Sequence, residues 1–99
     1  MNFELRFTKE ADKDLSLLEN DHGKKAELKA DRKALAYLQT DPRHKSLRTH
    51  PYHTQSGPNG EKLFEAYAQQ NRPSAYRVFW YYGSRRGEIV VATIMPHPK

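Results

Sequence analysis

No cysteine occurs in the 99 residues, which excludes disulfides and thiolate metal ligands and removes any argument for an oxidising compartment. Long apolar runs are missing too. The opening segment, MNFELRFTKEADKDL, alternates charge with apolar residues and has no continuous stretch suited to a signal peptide. No run approaches the roughly 20 apolar residues of a membrane span, so the chain is expected in the cytoplasm, with no membrane partner. Internal repeats and low-complexity tracts are also lacking. A chain of this length fits one domain, residues 1–99, with a single core between two layers.

Acidic residues become scarce past residue 41. Residues 1–41 hold eight Lys/Arg and nine Asp/Glu, a net charge of −1, whereas residues 42–99 hold nine against three, net +6. A protein kept soluble by charge does not need that split. A basic carboxyl-terminal half reads first as the electrostatic footprint for a polyanion, most often nucleic acid.

The boundary between the halves, DPRHKSLRTHPYHTQSGPNGEK (residues 41–62), has Leu47 as its only aliphatic residue. It cannot build a core. Its histidines, His44, His50 and His53, are spaced by six and three residues inside a proline-broken segment, which does not match the helical or paired patterns of metal sites. An idle linker has no reason to carry Arg43, Lys45, Arg48 and Lys62. The segment is therefore expected to cross the rim of a nucleic-acid-binding face. There its cations, supported by the histidines, would contact phosphates and position the strand without reading its sequence. Leu47 and Tyr52 would pin it to the domain, and Gly57-Pro58-Asn59-Gly60 would turn the chain into the next strand.

Periodicity supplies the remaining elements. Asn2–Phe7 alternates as a strand with one buried face. Thr8 can cap the helix that follows, with Glu10 and Asp12 favourable to its dipole, and Ala11, Leu15 and Leu18 recur at helical spacing. A second helix is predicted from Lys24 to Gln39, with Ala26, Ala30, Ala34 and Leu38 as a small-residue stripe for an antiparallel hairpin. Asp41-Pro42 ends it. Strand patterns follow at Leu63–Ala68, Ala75–Tyr82 and Glu88–Met95, the last two joined by a turn at Gly83–Gly87. The expected fold is α+β, in the order β-α-α-β-β-β, with a two-helix hairpin on one face of an antiparallel-rich sheet.

Strand alternation then assigns faces. A charged arginine does not belong under the helices, so Arg77, Phe79 and Tyr81 are placed on the open face, with Glu65 and Tyr67 beside Arg77. An arginine, a carboxylate and aromatic rings on one strand surface fit the handling of RNA or single-stranded DNA. They equally fit a surface ion pair among solvated aromatics.

The element order, the Ala11-Asp12-Lys13-Asp14-Leu15 helix, the Leu47-x-Thr49-His50-Pro51-Tyr52 segment and above all Tyr76-Arg77-Val78-Phe79-Trp80-Tyr81 resemble the RelE/ParE toxin superfamily of bacterial toxin–antitoxin pairs. The resemblance spans nearly the whole chain. It implies one of two activities: metal-independent cleavage of mRNA on the ribosome, as in RelE-like members, or inhibition of DNA gyrase, as in ParE-like members. It places Arg77 at the arginine that contacts the scissile phosphate in nuclease members, and His97 where some members carry an acid–base histidine. Glu61 and Glu65 fall where some members use a glutamate and others lysines. The absence of a Lys-x-Lys pair on that strand favours a glutamate–histidine chemistry.

Such cleavage needs a base for the ribose 2′-OH, an acid for the leaving 5′-oxygen and a cation for the phosphate. Glu65 or Glu61 is the expected base and His97 the acid, since imidazole titrates near neutrality. Arg77 is the expected phosphate clamp. Tyr67 and Tyr81 would stack on bases, and Arg85 and Arg86 would dock the backbone. No cofactor or metal is expected. The implied partners are a cognate antitoxin, the ribosome and mRNA, with gyrase the partner under the alternative. A basic RNA-binding module without toxicity is the third reading.

Overall fold

A computed structural model of the chain describes residues 2–70 and 75–96. The order is β1 (Glu4–Phe7), α1 (Lys9–Glu19), α2 (Lys25–Thr40), β2 (His50–Ser56), β3 (Lys62–Tyr67), β4 (Tyr76–Tyr82) and β5 (Glu88–Pro96). Short 3₁₀ turns lie at His22–Lys24 and Lys45–Leu47. All five strands form one sheet in the order β1-β5-β4-β3-β2. β1 runs parallel to β5, and every other pair is antiparallel. The α+β class and the helical hairpin on one face agree with expectation, but the sheet has one strand more. His50–Ser56, expected as loop, is an edge strand.

Local chemistry explains the boundaries. The Thr8 side chain accepts from the Ala11 N–H at 3.1 Å and donates to the Ala92 carbonyl at 2.7 Å. One hydroxyl thus caps α1 and ties its start to β5. Gly87, at φ +76°, supplies the left-handed residue that lets the β4–β5 turn close. β2 tolerates Pro51 because an edge strand leaves one side of its ladder unused. Its pairing with β3 shifts register between Pro51 and Ser56.

The core lies between the helices and one sheet face. Leu38, Leu47, Val78, Trp80, Ile89 and Val91 are almost fully buried there, each such side chain stabilising by roughly 1.5–3 kcal/mol. A bulge helps β5 reach it. Phe79 pairs with Thr93 but Trp80 with Val91, so one extra residue is inserted at Ala92 and both Val91 and Ile94 join the helix-side core. The Ile94 N–H is taken by the Asp14 carboxylate of α1 at 3.0 Å. The opposite face is not bare: Leu63, Phe79 and Tyr81 form a second, smaller buried cluster, with Tyr52 of β2 against it. Among the described residues no helix is long and apolar enough to cross a membrane.

Candidate functional site

Where β2, β3 and β4 lie side by side, four side chains form a chain of contacts. The register pairs His50 with Glu65 and Tyr67 with Arg77. Glu65 Oε1 lies 2.8 Å from His50 Nε2, and Glu65 Oε2 lies 3.7 Å from Arg77 Nε. The Arg77 guanidinium sits 3.8 Å from the Tyr67 ring centroid, and the Tyr67 ring meets His50 edge-on at 5.7 Å. The carboxylate therefore bridges an imidazole and a guanidinium, with an aromatic plate beneath the cation. All of this lies on the sheet face away from the helices, where alternation puts Glu65, Tyr67 and Arg77.

Burial changes the roles. Glu65 is only 1% exposed and Arg77 only 7%. Arg77 Nη1 donates to the Gln69, Ala75 and Tyr76 carbonyls at 3.0, 3.1 and 3.3 Å, fastening both ends of the β3–β4 connection. Among the described residues neither its Nη2 nor its buried Nε carries a hydrogen bond. The expectation of an open clamp is corrected: most of the guanidinium satisfies backbone carbonyls that burial would otherwise leave unpaired. Glu65 is likewise too enclosed to meet a substrate directly.

His50 is the accessible member, with its side chain 43% exposed. Its Nδ1 lies 3.0 Å from the Arg48 carbonyl. Both ring nitrogens thus face acceptors, a carbonyl and a carboxylate. An imidazolium satisfies both, and a neutral ring only one. The sequence supported His50 as a phosphate-rim residue and missed its pairing with Glu65; the available signal was its place at the head of a segment that could add an edge strand.

The remaining candidates scatter. Glu61 serves a turn: its carboxylate accepts the Asn59 N–H at 2.7 Å. The backbone N–H groups of Glu61 and Asn59 hold its pKa below the ordinary value, which makes it a weak base. Tyr81 is 7% exposed within the second cluster, and burial raises its pKa; its face is not offered to a base. The Tyr67 face is taken by Arg77. Arg85 and Arg86 are exposed at the β4–β5 turn, beyond the Tyr82 end of a strand whose other end carries Arg77. At about 3.3 Å per residue that separation is roughly 17 Å or more. His97 lies outside the described residues; the strand before it pairs Met95 with Arg77 and Pro96 with Tyr76.

Arg43, Lys45 and Arg48 do not rim the Arg77 face. They line a cavity with Phe64, Trp80 and Tyr82, residues of the helix-covered side. Lys62 does not line that cavity, but its Nζ lies 5.8 Å from the Phe64 ring centroid. Leu47 does pin the segment, being buried in the main core. His44 is held away from His50 and His53: it stacks on Tyr37 at 3.9 Å and accepts the Ser46 N–H on Nδ1.

The fold has solved counterparts. A chain of the archaeal RelE–RelB complex from Pyrococcus horikoshii OT3 superposes with TM-score 0.65 at 16% identity, covering 97% of this chain and 96% of that one. The YoeB/ParE toxin from Agrobacterium tumefaciens gives TM-score 0.70 at 8% identity, covering 96% and 99%. A chain of the intact E. coli RelBE toxin–antitoxin complex gives 0.59 at 13%, covering 98% and 99%. No protein-family model matches the sequence, and no curated protein matches it. The protein has the RelE/ParE-like toxin fold over nearly its whole length, as the sequence resemblance implied.

Proposed function

We propose that the protein is a toxin of a toxin–antitoxin pair that cleaves mRNA on the ribosome without a metal, and that a cognate antitoxin neutralises it. The carrying observation is the bridge from His50 through Glu65 to Arg77. The fold shared with RelE and YoeB proteins, two of them solved as toxin–antitoxin complexes, supports the toxin role.

In the proposed reaction the ribose 2′-oxygen attacks the adjacent phosphorus, the P–O5′ bond breaks, and a 2′,3′-cyclic phosphate and a free 5′-hydroxyl result. His50, protonated between its two acceptors, gives its proton to the departing 5′-oxygen. The proton it can release is the one on Nδ1, held only by the exposed carbonyl of Arg48. Glu65 orients the ring and balances its charge, as the third group of a catalytic relay does. Arg77 Nη2 meets a phosphate oxygen; with His50 as the acid, His97, read from the sequence as the acid, is left the part of the base that takes the 2′-OH proton.

Overexpression followed by mapping of mRNA 5′ ends tests the reading. Cuts within translated messages, lost in His50→Asn and Glu65→Gln, are the expected result. The locking of Arg77 to three carbonyls favours a second reading, a non-catalytic inhibitor of DNA gyrase. Under it, purified protein blocks supercoiling while ribosome-bound message stays intact, and the cleavage assignment falls.

A further inference from the structure

The cavity under the 42–49 segment is unlike the His50 site in chemistry and in position. Its volume is about 420 Å³, within the roughly 300–1,000 Å³ of small-ligand pockets. Three cations line it, Arg43, Lys45 and Arg48, and among the described residues no carboxylate does. Asp41, next in the chain, spends an oxygen on the Arg43 N–H at 3.0 Å.

The wall opposite those cations is aromatic. Phe64 and Trp80 stack at 4.8 Å and 25°, and Tyr82 meets both edge-on, at 5.9 and 5.0 Å. Tyr82 is 42% exposed, so its ring is open to a planar partner. Among the described residues the Trp80 Nε1–H has no acceptor, and the atom itself is buried. A buried donor left without a partner is unusual in a folded protein. At the rim, His44 accepts on Nδ1 from Ser46, so a neutral ring carries its hydrogen on Nε2 and adds another donor.

Cations against aromatic rings, with His44 at the rim and no acid among the described lining residues, select a ligand that joins a phosphate to a flat ring. We infer that this cavity is a binding site for a nucleotide unit, its phosphate on Arg43, Lys45 and Arg48 and its base against Tyr82 and the Trp80–Phe64 wall. Guanidinium groups match phosphate oxygens in pairs, and base–aromatic stacking tolerates any base. A free mononucleotide and one unit of an RNA strand offer the same chemistry. The site lies on the helix side of the sheet, so the inference stands whether or not the His50 cluster cuts RNA.

Trp80 is the chain's single tryptophan, so its fluorescence and its one indole N–H resonance report the wall of this cavity without a second indole to confuse them. The full chain is titrated with 5′-AMP and, separately, with a hexameric oligoadenylate, with inorganic phosphate as the control. A saturable response to either nucleic ligand is expected, weakened about tenfold in the Arg43→Ser/Lys45→Ser double variant, whose two sites are exposed and leave the core untouched. Tyr82→Ala should weaken it by a similar factor. AMP binding as tightly as the hexamer identifies a free nucleotide as the source, and a response confined to the hexamer identifies a strand. Silence with both ligands, an equal response to inorganic phosphate, or unchanged binding by the double variant overturns the assignment. His50→Asn, altered at the exposed member of the cluster on the other sheet face, should keep the indole response, which separates failure of this site from failure of the cleavage reading.

Discussion

His50 Nε2 and Glu65 Oε1 meet at 2.8 Å across a β2–β3 rung, the imidazole half in solvent and the carboxylate enclosed. That pairing splits the labour expected of one glutamate. The buried group holds charge and geometry, and the exposed ring is left to move protons. His50→Asn should therefore cut RNA cleavage by roughly 10²–10⁴-fold, the usual worth of a positioned acid or base. Its stability should fall by about 1–3 kcal/mol, because the enclosed Glu65 carboxylate loses one hydrogen-bond partner. Mapped mRNA ends and a urea titration on the same preparation read the two quantities. A variant that cuts normally removes His50 from the mechanism.

Glu65 and Arg77 behave differently because both are buried. Removing Glu65 leaves the enclosed Arg77 cation without its carboxylate, a loss of about 3–5 kcal/mol, whereas removing Arg77 leaves Glu65 its contact with His50. Arg77→Leu also takes the donor from three carbonyls at the ends of the β3–β4 connection. The Glu65→Leu/Arg77→Leu double variant should lose less than the sum of the single variants, because no lone charge remains. Urea midpoints of the four proteins give the coupling. Additive losses would mean that the 3.7 Å approach contributes nothing.

Most of the fold can be read from the sequence because it is local. The Thr8 cap, the two helices, the three carboxyl-terminal strands and the facing of Arg77 and Glu65 all follow from periodicity and capping. β2 cannot be read that way. Pro51, the polar run His53–Ser56 and a register shift erase its alternation, and it becomes a strand only because β3 offers an unpaired edge. The His50–Glu65 contact depends on that register, which links positions 15 residues apart through an irregular hairpin. Arg77 shows the other limit. Alternation gives the face on which a side chain lies but says nothing about backbone carbonyls arriving from a connecting loop to cover it. The same blindness put Arg43, Lys45 and Arg48 on the wrong side, since a segment that rounds a sheet edge carries no periodic signal of which face it covers.

Asp31 introduces a pH dependence that no motif announces. It is fully buried on α2, and among the described residues neither carboxylate oxygen has a hydrogen-bond donor. Burial first, and the Glu27 charge second, push its pKa from 3.8 to about 7; the Tyr76 ring, with Lys24 Nζ 5.9 Å from its centroid, is another neighbour in this region. Below the unfolded value both states hold the proton. Between 3.8 and about 7 the unfolded chain ionises while the folded chain keeps its proton, so stability falls as pH rises. Above that window the full cost is present, at most on the order of 4 kcal/mol. Asp31→Asn should flatten the dependence and stabilise the protein at pH 8 by about 2 kcal/mol, less than the limit because the amide is also unpaired. Urea melts at pH 5 and pH 8 on both proteins decide it; equal slopes in the two would mean that Asp31 is solvated.

Arg48 sits in the left-handed region, at φ 46° and ψ 39°, immediately after the buried Leu47 and within the cation-lined cavity. A side chain there costs about 1–2 kcal/mol relative to ordinary backbone. Glycine removes that cost but gives back about 0.5–1 kcal/mol by loosening the unfolded chain. Arg48→Gly should therefore stabilise the fold by about 0.5 kcal/mol while taking one cation from the nucleotide cavity. For single-stranded RNA each phosphate contact contributes about −0.7 to the slope of log K against log salt, so the variant's slope should be shallower by about that amount. The two effects have opposite signs, which is what makes the substitution informative. A merely structural arginine would leave the salt slope where it was, and a residue under no backbone strain would lose stability on becoming glycine. Urea titration and RNA binding at three salt concentrations measure both, and only the combination of a higher midpoint with a shallower slope fits an arginine held in a strained conformation to meet phosphate.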